Sequence, residues 1–169
     1  MRDAAVSKVR EAMAERDVER LVVMDADNLA YLTGIQDPSG MSGVLVLEQD
    51  DVTLLVSKFY RYSLDGLPGT QLYTSREDRA DRIEALELDG AVADEPGRLD
   101  ADLEGTDLVA ECRATKLPFE IDAMREACDT GSKAFQELLK RFDTGMQEWG
   151  LVREADAAFV NLEVQVHAY

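Results

Sequence analysis

A single histidine, His167, stands two residues from the end of the chain. Histidine exchanges protons near neutral pH and is the commonest metal ligand, so its scarcity bounds the chemistry at once. As a ligand His167 needs partners, and only Glu163 sits at helical i−4 spacing. A solvated histidine at a fraying terminus is the simpler reading. No Ser/His/Asp or Cys/His constellation can be built around it. The two cysteines, Cys112 and Cys128, are too few for a disulfide framework and lack metal-type spacing. Cys128 falls on an apolar helical stripe, where a thiol serves as a small hydrophobe. Ser39-Gly40-Met41-Ser42-Gly43 has glycines suited to a phosphate loop, but it lacks the Gly-Lys-Ser/Thr ending and precedes a strand. The residues therefore predict no catalytic, cofactor-binding or metal site within the chain.

Other polar and aromatic residues have a plain and a functional reading. Phe59-Tyr60-Arg61-Tyr62 offers an aromatic, cationic face, with Tyr60 and Arg61 turned to a substrate or a partner. The plainer alternative packs Phe59 in the core and leaves Arg61 on the surface. Asn28 reads as a local cap and Tyr31 as a core residue.

The elements that must position these residues follow from hydrophobic periodicity. An amphipathic helix is predicted over Ala4–Arg16, with Ala5, Val6, Val9, Ala12 and Met13 on one face. Leu21-Val22-Val23-Met24 is a continuous apolar run of the kind found in buried strands. Asp25-Ala26-Asp27-Asn28 supplies capping chemistry for a short helix over Leu29–Leu32 that Gly34 ends. Val44–Leu47 and Val52–Val56 form a hairpin around Glu48–Asp51. A helical segment over Phe59–Leu64, a loop over Gly66–Gly69, a strand at Leu72-Tyr73 and a polar helix over Glu77–Leu86 follow. Ala91-Val92 and Leu108-Val109-Ala110 are the last expected strands. Helices alternating with short strands give an α/β fold class, and the hairpin makes it a mixed β-sheet flanked by helices.

After Arg113 the pattern becomes wholly helical. Pro118 occupies the first turn of a helix. Ile121, Met124, Cys128, Gly131, Phe135, Leu138 and Phe142 recur at steps of three and four. They form one stripe along about 25 residues, or about 37 Å at the helical rise. Thr144-Gly145 breaks this helix, and a second one places Val152, Ala155, Phe159, Leu162 and Val166 on one side. Two such helices close on each other as an α-helical hairpin but leave apolar surface over. Ile121, Met124, Phe135, Leu138 and Phe142 are therefore the expected interface stripe.

Three stretches in this order resemble a known family. Asp27-Asn28-Leu29-Ala30-Tyr31-Leu32-Thr33-Gly34 is similar to the Asn-x-x-Tyr-Leu-Thr-Gly signature of creatinase/prolidase amino-terminal domains. Arg113-Ala114-Thr115-Lys116-Leu117-Pro118-Phe119-Glu120-Ile121, with Met124-Arg125 and Ala127, resembles the segment that enters their catalytic domain. Gly145-Met146-Gln147-Glu148 resembles the Gly-Met-Thr-Glu turn between the first two helices of that domain. Together they span Val6 to Trp149.

The resemblance implies an amino-terminal α/β domain over residues 1–112, then a linker and the first two helices of a truncated pita-bread catalytic domain over 113–169. Whole members of the family are metallopeptidases such as Xaa-Pro dipeptidase (prolidase) and aminopeptidase P, commonly dimers. They use two divalent metal ions (Mn, Co or Zn) held by two aspartates, a histidine and two glutamates, all downstream of the portion matched by this chain. The implied function is thus the non-catalytic front portion of such a peptidase, inactive alone, capping the active site and supporting dimerisation. Its partner is either a second copy or the missing catalytic domain, and proline-containing peptides are met only through the full-length parent. The alternative is a free-standing binding or assembly module that uses the helical tail. Two departures stand out: Ser57-Lys58-Phe59-Tyr60 keeps only the tyrosine of the family's Asp-x-Arg-Tyr, and Gln147 replaces a usual Thr.

Charge excludes several partner classes. Asp and Glu number 35 against 18 Lys and Arg, a net charge of −17. Such a surface repels phosphate backbones and anionic lipid, so neither nucleic acid nor membrane is expected as a partner. The first residues, Met1-Arg2-Asp3-Ala4-Ala5-Val6-Ser7-Lys8, turn charged too soon for a signal peptide, and the expected location is cytoplasmic. The acid is spread along the chain rather than gathered in a tail, as in proteins adapted to a salt-rich cytosol; an ordinary acidic protein is the alternative. Screening relieves self-repulsion in the first case. The melting midpoint is accordingly expected to rise steeply as KCl is added, and a flat response would leave the ordinary acidic protein standing.

Overall fold

The computed structural model describes residues 3–35, 43–64, 67–160 and 162. The chain divides into two compact units, residues 1–116 and 117–169.

The first unit is built on a mixed sheet of six strands in the order β4-β3-β2-β1-β5-β6. These are β1 (Arg20–Val23), β2 (Gly43–Glu48), β3 (Val52–Ser57), β4 (Thr70–Tyr73), β5 (Val92–Ala93) and β6 (Glu104–Gly105). β2 runs antiparallel to both β1 and β3, while β4 joins β3, β5 joins β1, and β6 joins β5 in parallel. The apolar runs that predicted strands are buried on both faces. Val22, Val44, Val46, Leu55 and Ala93 share one core cluster with Leu88, Leu99 and Leu103, against which Ile83 and Leu86 pack. Leu21, Val23, Leu45, Leu47, Leu54 and Val56 alternate with them and are also fully buried. The period of two turns them to the other face. Helices α1 (Asp3–Glu15), α2 (Ala26–Thr33) and α4 (Leu108–Ala114) pack together there.

Local chemistry explains the boundaries. Asp25 caps α2 by accepting from the Asn28 N–H at 2.9 Å, and Gly34 closes it at φ 80° while donating to the Ala30 carbonyl. Helix α3 (Arg76–Glu84) opens on Ser75, whose hydroxyl accepts from the Asp78 N–H. The Asp78 carboxylate reaches back to the Thr74 N–H at 2.7 Å and also accepts from the Thr74 hydroxyl and Arg82. These donors, the Thr74 amide foremost, hold its carboxyl below the usual range.

Leu108-Val109-Ala110, expected as a strand, opens α4 instead. A short apolar run fits a buried strand or a buried helical turn equally well, and periodicity cannot separate the two. β6 has no apolar run at all. The helical segment expected over Phe59–Leu64 is a 3-10 helix at Lys58–Ser63, capped by the Ser57 hydroxyl.

The second unit is an antiparallel pair, α5 (Pro118–Arg141) and α6 (Glu148–Val160), turned at Gly145 with φ 97°. Pro118 stands in the first turn of α5, and the Glu120 carboxylate accepts from the Leu117 N–H at 2.8 Å. Arg141 pairs with Glu154 across the hairpin at 3.2 Å.

Gly69 leaves no room for a side chain. Its φ is 68°, and a Cβ there would lie 1.8 Å from the Val52 carbonyl oxygen where β4 approaches β3. Its own carbonyl accepts from Leu54 N at 3.0 Å. Gly69→Ala is expected to cost at least about 2 kcal/mol, the left-handed backbone penalty plus an unrelievable backbone clash. Urea unfolding measures it, and a loss below about 0.5 kcal/mol would contradict the close approach.

Candidate functional site

The residues with functional potential lie in three places rather than one cleft. The first is a polar junction within the first unit. Asn28 is only 5% exposed, and both ends of its amide are used. Its Nδ2 donates to Asp94 Oδ2 at 2.9 Å, and its Oδ1 accepts from Arg113 Nη1 at 2.8 Å. Asp94 also accepts from the backbone N–H groups of Met24 and Asp25, at 2.8 and 3.2 Å. Arg113 reaches Asp27 at 3.2 Å. Asn28 is thus no local cap, the role expected from sequence; Asp25 does that work. A short polar side chain beside a helix start reads as a cap, and only the fold brings Asp94 and Arg113 to it. Tyr31 is core as expected, at 5% exposure.

The segment leaving this junction is held from a second side. Lys8 Nζ donates to the Cys112 carbonyl at 2.7 Å and to that of Thr115, and Arg16 pairs with Glu111. Cys112 is buried, and burial pushes its thiol above the usual range against the opposing pull of Lys8 and Arg16. A thiol so placed is a poor nucleophile.

The second place is the 3-10 helix. Phe59, expected in the core, is 85% exposed and Tyr62 is 91% exposed. Arg61 is exposed and Tyr60 half-buried. The pattern missed this because Phe59 follows β3, after its last buried residue, Val56, where the alternation that governs the strand no longer applies.

The third place is the hairpin of the second unit. Ile121, Met124, Phe135 and Phe142 are exposed, with Leu139 and Trp149 beside them. Cys128, which the sequence places on this stripe as a small hydrophobe, is exposed as well. Leu138 is half-buried instead and keeps company with Ala134, the fully buried residue of α5. The closed seam runs through Ala134 and Leu138: it shares Leu138 with the predicted stripe but takes Ala134 in place of its neighbour Phe135. At 100° per residue that shift leaves the large side chains open.

Two surface grooves lie among the described residues of the first unit. One, of about 870 Å³, lies between α3 and the segment 98–103, with Arg79, Glu84, Asp89, Arg98, Asp100 and Asp102 on its walls. The other, of about 460 Å³, lies beside β6. Among the described residues no three His, Cys, Asp or Glu side chains converge as metal donors. His167, Val166 and Ser39–Ser42 lie outside the described residues. No helix of the described residues is long and apolar enough to cross a membrane.

Residues 6–124 match the family model of the creatinase/prolidase N-terminal domain. The fold is similar to an Xaa-Pro dipeptidase from Bacillus anthracis, with a TM-score of 0.72 and 15% identity over 94% of this chain and 49% of that one. A dipeptidase from Pyrococcus horikoshii OT3 gives a TM-score of 0.70 and 22% identity over 94% and 50%. An Xaa-Pro aminopeptidase from Streptococcus pyogenes gives 0.50 and 19% identity over 66% of this chain and 96% of that one. This chain therefore spans about half the length of the dipeptidases it matches. No curated protein matches it in sequence.

The junction carries a direct test. Asn28→Leu keeps the volume but strips both hydrogen bonds, leaving Asp94 and Arg113 short of a partner. Asp94 keeps the Met24 and Asp25 amides and Arg113 keeps Asp27, so the cost is that of two lost charge-assisted hydrogen bonds, about 1–3 kcal/mol in all. Chemical denaturation should report a loss in that range, larger than for a substitution at exposed Asp27. A loss below about 0.5 kcal/mol would mean that Asn28 does not tie α2 to Asp94 and Arg113.

Proposed function

The chain belongs to the creatinase/prolidase N-terminal domain family, and from that premise we propose that it is the amino-terminal, non-catalytic portion of an Xaa-Pro metallopeptidase. In this reading it caps the active site of the parent and supports its dimerisation. Residues 1–112 act as the amino-terminal domain; 113–169 supply the linker and the first two helices of the catalytic domain.

The observation that carries the reading is a match over about half of each dipeptidase combined with a donor set unsuited to their chemistry. Hydrolysis with two bridged metal ions needs clustered carboxylates and imidazole to hold the ions and lower the pKa of water. The sequence offers one histidine, and the described carboxylates do not converge. These residues do not fit a two-ion centre, so no catalytic step is assigned to them. The metals, whether Mn, Co or Zn, would be held by the remainder of the parent, in the cytoplasm, and a salt-adapted acidic surface would accompany it. Tyr60 and Arg61 would face the substrate or a partner subunit.

The open face of the hairpin favours a second reading. Ile121, Met124, Phe135 and Phe142 are between 37% and 59% exposed, more apolar surface than a finished helical pair leaves bare. In the parent the rest of the catalytic domain would cover it. In a free-standing assembly module the same face would bind a partner directly.

Metal content after dialysis against Mn²⁺, Co²⁺ and Zn²⁺ tests the first reading. The chain alone is expected to retain far less than one ion per molecule and to leave Xaa-Pro dipeptides intact. A stoichiometric pair of ions, with chelator-sensitive turnover, would overturn it.

A further inference from the structure

We infer that α5 pairs antiparallel with α5 of a second copy of this chain, along the open stripe Ile121, Met124, Cys128, Phe135, Leu139 and Phe142. The inference rests on the second reading above, the assembly module, and names its occupant and its register.

Geometry makes the stripe. At about 100° per residue these positions fall within an arc of about 60° on α5, and every one of them is exposed. The arc is centred about 110° round the helix from Ala134, the buried residue of α5. A further helix can therefore lie along it beside the closed seam. An aromatic side chain buries about 150–250 Å² in full, so this stripe, near half exposure, offers about 500 Å² per copy. Two copies together reach about 1,000 Å², where specific interfaces begin.

Size and charge select a second copy running the opposite way. The stripe is centred between Gly131 and Ser132, and its halves differ: Ile121, Met124 and Cys128 on one side, Phe135, Leu139 and Phe142 on the other. An antiparallel pair about that midpoint sets Cys128 against the partner's Phe135 and Ile121 against the partner's Phe142. Each large ring then meets a smaller side chain. A parallel pair would stack ring on ring at one end and leave the other end thin. Charge has the same polarity. Residues 118–129 carry Glu120, Asp122, Glu126 and Asp129 against Arg125, while 130–141 carry Lys133, Lys140 and Arg141 against Glu137. The second half is a cationic exception on a chain of net charge −17. Antiparallel packing brings Asp129 beside the partner's Lys133 and Asp122 beside the partner's Lys140, on one flank of the seam. The local pairs Asp122–Arg125 and Glu137–Lys140 are exposed and weak, so they yield readily.

Gly131 is an independent sign of a close neighbour. Glycine is among the poorest helix formers, yet it stands near the middle of a helix of 24 residues. Among the described residues an added Cβ would meet nothing within 4 Å, so packing within the chain does not call for it. A glycine at the midpoint of the stripe lets two crossing backbones approach.

Sedimentation equilibrium of the intact chain, in salt that keeps it folded, should show a reversible dimer. Phe135→Ser with Phe142→Ser should weaken it about tenfold or more. Gly131→Gln should weaken it about tenfold as well. Its circular dichroism should show no loss of helix, because glutamine is the better helix former. Cross-linking reads the register. With Cys128→Ser in place, Ser132→Cys should form an intermolecular disulfide under a mild oxidant, since position 132 lies next to its own copy at the midpoint. Cys128 lies about 10 Å along the seam from its own copy, too far for a disulfide. Faster cross-linking through Cys128 means a parallel pair and overturns the inference. A dimer that survives both sets of α5 substitutions overturns it too, while leaving assembly itself in place. A monomeric wild type overturns it and leaves the face to the rest of the parent. The metal and turnover measurements decide the amino-terminal reading by themselves.

Discussion

The fold of the first unit turns on one buried amide. Asn28 joins the start of α2 to Asp94, just after β5, and to Arg113, near the end of α4. A buried side-chain amide is tolerable only when donor and acceptor are both satisfied, and in this junction both partners are charged. That makes the bonds stronger than neutral ones. Asp94 in turn bonds the backbone at Met24 and Asp25, where the chain leaves β1. One residue therefore fixes the exit of β1, the start of α2 and the exit of the unit. The same asparagine and arginine open two of the sequence stretches that resemble the creatinase/prolidase family. Their 85-residue separation closes to a single hydrogen bond.

Much of this architecture was legible because burial on two faces leaves a plain record. Leu21–Met24 and Val44–Leu47 are apolar without interruption, and Val52–Val56 is interrupted only by Thr53; each lies within or beside a strand. Asp25 and Gly34 bracket α2 through capping chemistry that acts within a few residues. What escaped detection depends on distance or on small angular differences. Asn28 and Asp94 carry no mark of each other in sequence. Leu108–Ala110 is too short for its periodicity to reveal a helix. On α5 the difference between Ala134 and Phe135 decides which line of side chains is closed and which is open, and steps of three and four fit either.

The hairpin shows why small residues decide that question. Ala134 and Ala158, each 1% exposed, are the buried positions of α5 and α6. Small side chains in a seam permit close approach of helix axes but bury little apolar area. The larger groups, Phe135, Phe142 and Trp149, remain outside. α6 has 13 residues against 24 for α5, so at 1.5 Å per residue it falls short by about 16 Å. Ile121 and Met124 lie in the part of α5 that so short a partner does not span. An apolar face left open by both register and length is a property of the pair itself, whichever body covers it.

The arginines and lysines give the acidic composition a structural meaning. In the first unit several are aimed at the backbone, Lys8 at Cys112 and Thr115, Arg10 at Glu48 and Asp51, Arg98 at Met24, while Arg98 also pairs with Glu95 and Arg20 with Glu48. A cation on a carbonyl ties a loop or helix end in place without cancelling any carboxylate. Exposed pairs such as Arg16–Glu111 add little stability. The fold thus uses its few positive groups as ties while the negative charge remains in solvent, where salt can screen it. Lys58 and Arg61 fall outside that arrangement. They sit on a short helix whose rings face water and tie no backbone among the described residues.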